Sequence, residues 1–358
     1  MKTLQYQPGL HRIALLTAGA TFPLIFMGGL VTSHQAGMSV PDWPNSYGYN
    51  MFLFPPRLWI GGILYEHTHR LMASVVGLLS IVLAAWAWKY EPRRWVRWLA
   101  MSVLGAVILQ GVLGGLRVVF VKLDLAIVHA CLAQAFFCLA ALMACVTSRW
   151  WIEAEHQPAT PSRFVAVRLA SIVAGVIYLQ LVAGAVMRHY QAGLAIPDLP
   201  LAYGKVLPPT NMVGLKAVND WRAWHGDGIP GRVTLSQVWI HFAHRLGAIA
   251  VMVSLLVLIV HVLRHRHEPL LFRPAVLLIV LLVVQLTLGT LTVLWRKPAD
   301  IASAHVAVGA LTLLTTFVLG VRAWRVDAAA GAPRQYGFSL ALTGRRQIVP
   351  AEGEPITN

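Results

Sequence analysis

Long apolar runs alternate along this chain with short polar connections. A bilayer's hydrocarbon core needs about 20 consecutive apolar residues to cross it. Eight stretches meet that length, at about 13–33, 66–88, 98–118, 125–148, 166–187, 238–263, 274–294 and 301–324. Gly28-Gly29, Gly111 with Gly114-Gly115, and Gly289 lie inside them, where small residues let membrane helices approach closely. The connections after the second, third, fourth, sixth and seventh spans are short, which predicts antiparallel neighbours. Two longer segments follow the first and fifth spans, at about 34–65 and 188–237. The predicted fold is an all-α polytopic membrane protein with eight transmembrane helices. The first run is followed by others of its kind and lacks a cleavage signal, so it reads as a retained span.

Composition supports the same class. The chain is 57% hydrophobic and 12% charged, whereas a soluble domain is nearer one-quarter charged. A net charge of +15 raises nucleic acid as a partner, but Lys and Arg sit in short clusters between apolar runs, where topology signals belong. Nucleic acid is therefore excluded. Lys89, Arg93, Arg94 and Arg97 follow the second span, Arg149 and Arg163 the fourth, and Arg264, Arg266 and Arg273 the sixth. Lys2 and Arg12 at one terminus and Arg322 and Arg325 at the other lie on that same side. Both termini are expected to be cytoplasmic, and the two long segments to face outward. Arg117, Lys122, Arg296 and Lys297 on the outer side weaken this bias without reversing it. The expected location is the cell's inner (plasma) membrane. Cys131, Cys138 and Cys145 recur every seven residues on one helix, too far apart for a disulfide, and read as small apolar residues.

The chain repeats itself. Gln35-Ala36-Gly37-Met38-Ser39-Val40-Pro41-Asp42-Trp43-Pro44 is answered by Gln191-Ala192-Gly193-Leu194-Ala195-Ile196-Pro197-Asp198-Leu199-Pro200. Glu66-His67-Thr68-His69-Arg70 is answered by His241-Phe242-Ala243-His244-Arg245, Gln110 and Gly114 by Gln285 and Gly289, and His129 by His305. Matches in the same order mark a duplication. Each half holds four helices, an even number, so both halves share one orientation. The expected architecture is two pseudo-symmetric four-helix bundles related by an axis along the membrane normal. The first would span 1–150, a cytoplasmic linker 151–165, the second bundle 166–325, and a poorly ordered cytoplasmic tail 326–358. The segment from Thr210 to Arg232, with Trp221 and Trp224, suits an amphipathic piece lying at the interface.

Ionisable residues within spans are costly and mark function. His69, His129, His244 and His305 begin the second, fourth, sixth and eighth spans, all running inward, so all four lie at a similar shallow depth. Two per bundle, on different helices, is an arrangement that grips a haem iron from both sides. The bland alternative for each is a hydrogen-bonded packing residue. Zinc fits less well, because closed structural zinc sites gather four Cys or His ligands. Arg70 and Arg245 directly follow two of these histidines and suit haem propionates, or else snorkel to the interface. Glu66 lies one turn before His69 and shares its helix face. His241, the second-site neighbour, stands in the matching place. That asymmetry points to different jobs for the two bundles. Glu66 suits proton transfer or stabilisation of developing positive charge, the alternative being a carboxylate paired with a nearby Arg. His67 points elsewhere and reads as interfacial. His11, His156, His225, His261, His265 and His267 read as surface residues, while His34 and His189 flank the outer repeats unassigned.

At these residues the chain resembles the haem A synthase family, from the first span to the last. The resemblance rests on Glu66 to Arg70, on Pro41-Asp42-Trp43-Pro44, on His244-Arg245, and on His129 and His305. It implies oxidation of the C8 methyl of haem O to a formyl group by successive hydroxylations and loss of water, giving haem A for terminal oxidases. It implies that the N-terminal bundle holds the substrate haem between His69 and His129, with Glu66 catalytic. It implies a haem B cofactor, with its iron, between His244 and His305. Many bacterial members carry a cysteine pair in the first outer loop, but the loop from His34 to Arg57 has none. A mechanism needing that pair cannot operate here, and the loop must be held by its prolines, Trp43 and packing.

Three rival readings use the same residues: a di-haem b-type electron carrier, a protein that binds haem O to hand it on, and a structural membrane protein without haem. The expected partners are haem O as substrate, the lipid bilayer and an electron donor of unidentified kind. Haem O synthase and a second copy of the chain are open candidates.

Overall fold

A computed structural model describes residues 5–153, 161–224, 231–265 and 269–329. The tail from 330, most of the linker, and His156, His225 and His267 lie outside the described residues. Among the described residues there are helices and no named strand. Eight of the helices are long and apolar enough to cross a membrane. These are α1 (Pro8–Ser33), α2 (Gly62–Tyr90), α3 (Arg94–Phe120), α4 (Leu123–Thr147), α6 (Pro161–His189), α8 (Leu235–Arg264), α9 (Pro269–Leu294) and α10 (Ala299–Ala329). Two shorter ones are α5 (Arg149–Glu153) and α7 (Met212–Trp224), and short 3-10 turns cover Met51–Leu53 and Pro56–Leu58.

The helices overrun the apolar runs at most ends, because inside a bilayer every backbone group must be bonded within its own segment. Their ends are defined locally. Pro8 occupies the first turn of α1, where a missing N–H costs nothing. Thr234 and Gln237 form a capping box at the start of α8. Glu91 accepts Arg93 Nε at 2.7 Å and Nη2 at 2.9 Å, fixing the turn from α2 to α3.

The first four spans close a ring of contacts, α1 on α2, α2 on α3, α3 on α4 and α4 back on α1. The last four close another, α6 on α8, α8 on α9, α9 on α10 and α10 back on α6. The rings meet along a seam where α10 packs on α1 and α4, and α4 on α6. Gly29 of α1 permits this approach: a methyl group there would stand 3.0 Å from Ser303 Cβ of α10.

Apolar packing is concentrated at the end of each ring away from the long connections. In the first ring Leu10, Ala14, Leu83, Val96, Ala100 and Met143 are buried together. In the second Val173, Leu255, Leu258, Leu278 and Leu319 do the same. Burial there takes whole aliphatic side chains out of lipid contact into close packing, where dispersion accumulates. Towards the other end, here called the loop face, buried aliphatics give way to histidines.

Candidate haem-binding sites

His69, His129, His244 and His305 all lie in the parts of α2, α4, α8 and α10 nearest the loop face. Each imidazole rests against a glycine of the membrane-spanning helix preceding its own. A Cβ at Gly28 would stand 3.1 Å from His69 Cε1, at Gly114 3.3 Å from His129 Cε1, at Gly184 3.1 Å from His244 Cε1, and at Gly289 3.0 Å from His305 Cε1. Hydrogen is the one side chain that leaves room for a ring so close to a helix backbone. His69 and His129 lie within electrostatic reach of one another, as do His244 and His305. The structure thus brings the four sequence-predicted histidines together as two pairs, one inside each ring.

Three of the four rings use their atoms in one way. Nδ1 of His69, His129 and His305 is sealed off and makes no well-aligned hydrogen bond. Their Nε2 atoms have no partner among the described residues and are not enclosed. At His244 the Gln180 amide nitrogen stands 3.1 Å from Nδ1 and 3.4 Å from Nε2, and donates to the His244 carbonyl at 2.8 Å. Gln110 donates to the His129 carbonyl at 3.2 Å. Gln110, Gln180 and Gln285 each precede their glycine by four residues, one helical turn. Gln180 and Gly184 went unnoticed in the sequence, although this shared spacing is the signal that finds them.

These residues fit a haem. Among the described residues no group of three or more His, Cys, Asp or Glu side chains stands together. Two neighbouring imidazoles with unpartnered Nε2 atoms suit a metal that brings its remaining ligands with it, as a porphyrin iron does.

The loop-face connections fold over these sites. Arg70 donates through Nη1 to the carbonyls of Asp42 at 2.7 Å and Asn45 at 2.9 Å, and through Nη2 to Val40 at 2.8 Å. Glu66 completes the clasp, accepting Arg70 Nη2 at 3.0 Å on Oε1 and the Val40 N–H at 2.9 Å on Oε2. The second half builds a similar clasp with one carbonyl fewer and with Nε in place of Nη2 toward the residue one turn earlier. Arg245 donates to Leu201 at 3.0 Å and Ile196 at 2.8 Å. His241 receives the Ile196 N–H at 3.1 Å and Arg245 Nε at 3.3 Å. Glu66 and His241 therefore do the same local job, and what distinguishes them is charge. The guanidinium groups of Arg70 and Arg245 are spent on loop carbonyls.

Within each loop an aspartate closes a turn. Asp42 accepts from the N–H groups of Tyr47 at 2.7 Å and Gly48 at 2.8 Å, and Asp198 from Tyr203 and Gly204, both at 2.8 Å. Tyr47 and Tyr203 both have positive φ, at 53° and 56°. Tyr47-Gly48 against Tyr203-Gly204 extends the repeat beyond Pro44 and Pro200. Partial burial works against ionisation of Asp42, but the two backbone N–H groups and Arg70 outweigh it and hold its carboxyl below the ordinary range. Burial pushes Tyr203 up to about 12.

Several expectations change. His67 is not interfacial: it is completely buried, 3.2 Å from Ser46 Oγ and packed against the Phe54 and Trp59 rings, because the first loop folds back over the start of α2. The first loop is held chiefly by the Glu66–Arg70 clasp, with Trp43 lying flat over Gly115. His11 and His261 are half-buried, bridging to Thr147 Oγ1 at 3.3 Å and to the Ser162 carbonyl at 3.0 Å. His34 stacks on Tyr65, ring centroids 4.1 Å apart. The amphipathic piece is α7, whose Leu215 packs with Ala195, Ile196, Ala202 and Val238. It covers the second loop, and Arg222 donates from it to the carbonyls of Leu194 and Ala195.

Eight spans with two pairs of neighbouring, glycine-seated histidines at one end define a multi-pass membrane protein with two candidate haem sites. The chain belongs to the COX15-CtaA family, described as cytochrome oxidase assembly protein, whose model matches residues 62–318. It is similar to proteins named heme A synthase. That of Geobacillus kaustophilus is 24% identical over 335 residues, covering 90% of this chain and 96% of the relative. That of Shewanella oneidensis is 26% identical over 341 residues, 88% of this chain and 96% of the relative. That of Shouchella clausii is 29% identical over 220 residues, 59% and 70% respectively.

Proposed function

We propose that this protein is a haem A synthase of the inner membrane, oxidising the C8 methyl of haem O to a formyl group by successive hydroxylations. The observation that carries the reading is the pair of neighbouring histidines in each ring, every one seated on a glycine. In this reading 1–150 is the substrate bundle, with His69 and His129 gripping haem O. The bundle 166–325 holds a haem B cofactor between His244 and His305. The linker 151–165 and the tail 326–358 lie with both termini in the cytoplasm, and the loop face points outward.

Haem bound at the second pair supplies redox chemistry, with electrons from a donor outside the site. The chain's own residues do the rest. Neutral imidazoles of His69, His129 and His305 would offer Nε2 to iron while their Nδ1 atoms stay buried, and the Gln180 amide would orient the His244 ring. The first loop, clasped by Arg70 to Val40, Asp42 and Asn45, excludes water above the first pair. Glu66 is the carboxylate of that clasp, within electrostatic reach of Arg117, which in turn reaches His69 and His129. We assign to Glu66 the acid–base work at the first site, where its carboxylate, held between Arg70 and the Val40 N–H, can hold or pass a proton.

The test is expression in a host that makes haem O but no haem A, followed by haem extraction, chromatography and mass analysis. Haem A or its hydroxylated precursor is the expected product. Haem B alone, with haem O untouched in folded protein supplied with a reductant, would replace this reading with a di-haem electron carrier.

A further inference from the structure

Positive charge is not balanced at the seam between the two rings. Arg188 of α6 reaches across it, donating Nη2 to the Gly29 carbonyl and the Ser33 hydroxyl of α1. Ser33 Oγ in turn lies 3.0 Å from Ser303 Oγ of α10. The Nε of Arg188 is buried without a partner. Lys297, in the turn between α9 and α10, lays its stem over Gly193. Burial, and then the positive charge of Arg188, lower the Lys297 pKa from the ordinary lysine value. The ion pairs among the described residues are Arg70–Glu66, Arg93–Glu91 and Arg149–Glu153, so no carboxylate of those residues answers Arg188 or Lys297. Two such partly buried cations at the loop-face end of the seam are costly unless something anionic joins them.

His305 lies within electrostatic reach of Arg188, so the unanswered charge borders the second histidine pair. Arg245, the cation adjacent to His244 in sequence, is already occupied by the carbonyls of Leu201 and Ile196. We propose that Arg188 and Lys297 form an anion site at the seam for a carboxylate side chain of the haem gripped by His244 and His305. This rests on the haem reading above. Arg188 supplies a directional donor and Lys297 a mobile point charge, the two modes in which basic side chains meet carboxylates. Because Arg188 also bonds α1, a propionate held there ties the second haem to the helix that seats His69.

The test uses the full-length chain in detergent, carrying His69→Ala so that only the second pair closes on iron from both sides. Protein stripped of haem is titrated with iron protoporphyrin IX and with its dimethyl ester, following the six-coordinate low-spin absorption. The chain should prefer the free acid by about tenfold or more, as one to two charge-assisted hydrogen bonds require. Arg188→Gln with Lys297→Gln should erase that preference by weakening the acid while leaving the ester unchanged, and Arg188→Lys should restore part of it. Ser33→Ala removes a seam hydroxyl but no charge and should keep the preference. Lys297→Gln alone, which touches no seam hydrogen bond, should lower the preference even if the double variant misfolds. A preference undiminished in Lys297→Gln, or absent from the parent, would overturn the site. A parent that gives a bis-histidine spectrum with neither compound would instead remove the haem reading, and this site with it.

Discussion

Glycine at 28, 114, 184 and 289 determines where each imidazole can lie, since a single methyl at any of them meets a histidine ring. At Gly289 the added Cβ would stand 3.0 Å from His305 Cε1. The ring would have to shift in a packed interior, at an overpacking cost of about 1–3 kcal/mol. Gly289→Ala should therefore lower bound haem and perturb its low-spin spectrum, whereas Gly175→Ala, with nothing within 4 Å of its Cβ, should leave both unchanged. Glu66 invites a sharper comparison. Gln in its place keeps an acceptor for the Val40 N–H but carries no charge and takes no proton. Glu66→Gln should retain haem and loop order yet lose haem A formation, while Glu66→Ala should lose loop order as well. Normal product from Glu66→Gln would leave Glu66 a clasp residue only. The histidines were legible in the sequence because a titratable residue stands out in an apolar run. Their glycine seats were not, because glycine in a membrane helix has many uses; the turn from Gln to Gly singles out Gly114, Gly184 and Gly289, while Gly28, with Leu24 one turn before it, carries no such mark.

The two loop clasps are elements that sequence reasoning could place but not build. Arg70 and Glu66 were visible as a pair one turn apart. Their other partners are backbone atoms of Val40, Asp42 and Asn45, and backbone carbonyls leave no mark in a sequence. His67 was misplaced for the same reason, since its burial depends on a loop that returns over α2. Arg70 is about one-tenth exposed and Glu66 less, and removing one partner of such a buried pair costs about 3–5 kcal/mol. Arg70→Ala should free the first loop, making residues 41–58 open to protease added at the loop face of protein in lipid discs, with α8–α10 still protected. Arg70→Lys should rescue little, because a point charge cannot fork to three carbonyls. The aspartate turn adds a pH limb. The folded pKa of Asp42 is depressed, so its contribution is fully present above the ordinary carboxyl value of 3.8 and is lost as pH falls through the folded value. Hydrogen exchange at Tyr47 and Gly48 should be slower in the parent than in Asp42→Asn above about pH 4. That difference should vanish in more acidic solution.

For the molecule as a whole, the spans and the duplication were readable because both are periodic, at the lengths of a bilayer and of half a chain. How the halves meet was not, because Gly29 against Ser303 and Arg188 against α1 join residues more than 150 positions apart. The consequence is a pair of closed helix rings that share a seam but no histidine. Each pair is assembled from its own ring, so the two haem sites should fail separately. His244→Ala or His305→Ala should deplete haem B and leave haem O bound at the first pair. His69→Ala or His129→Ala should do the reverse. Sites that share no partner add their effects, whereas sites in contact do not, so combining His129→Ala with His244→Ala should sum the two losses in extracted haem. The seam is where additivity has reason to break, since Arg188 touches α1 from α6 and lies within reach of His305. Arg188→Gln combined with His69→Ala should therefore lose more haem from the second pair than Arg188→Gln alone. Haem quantification on the four proteins of that cycle decides it: a sum of independent losses would make the halves two separate vessels, and an excess would make the seam a coupling between them.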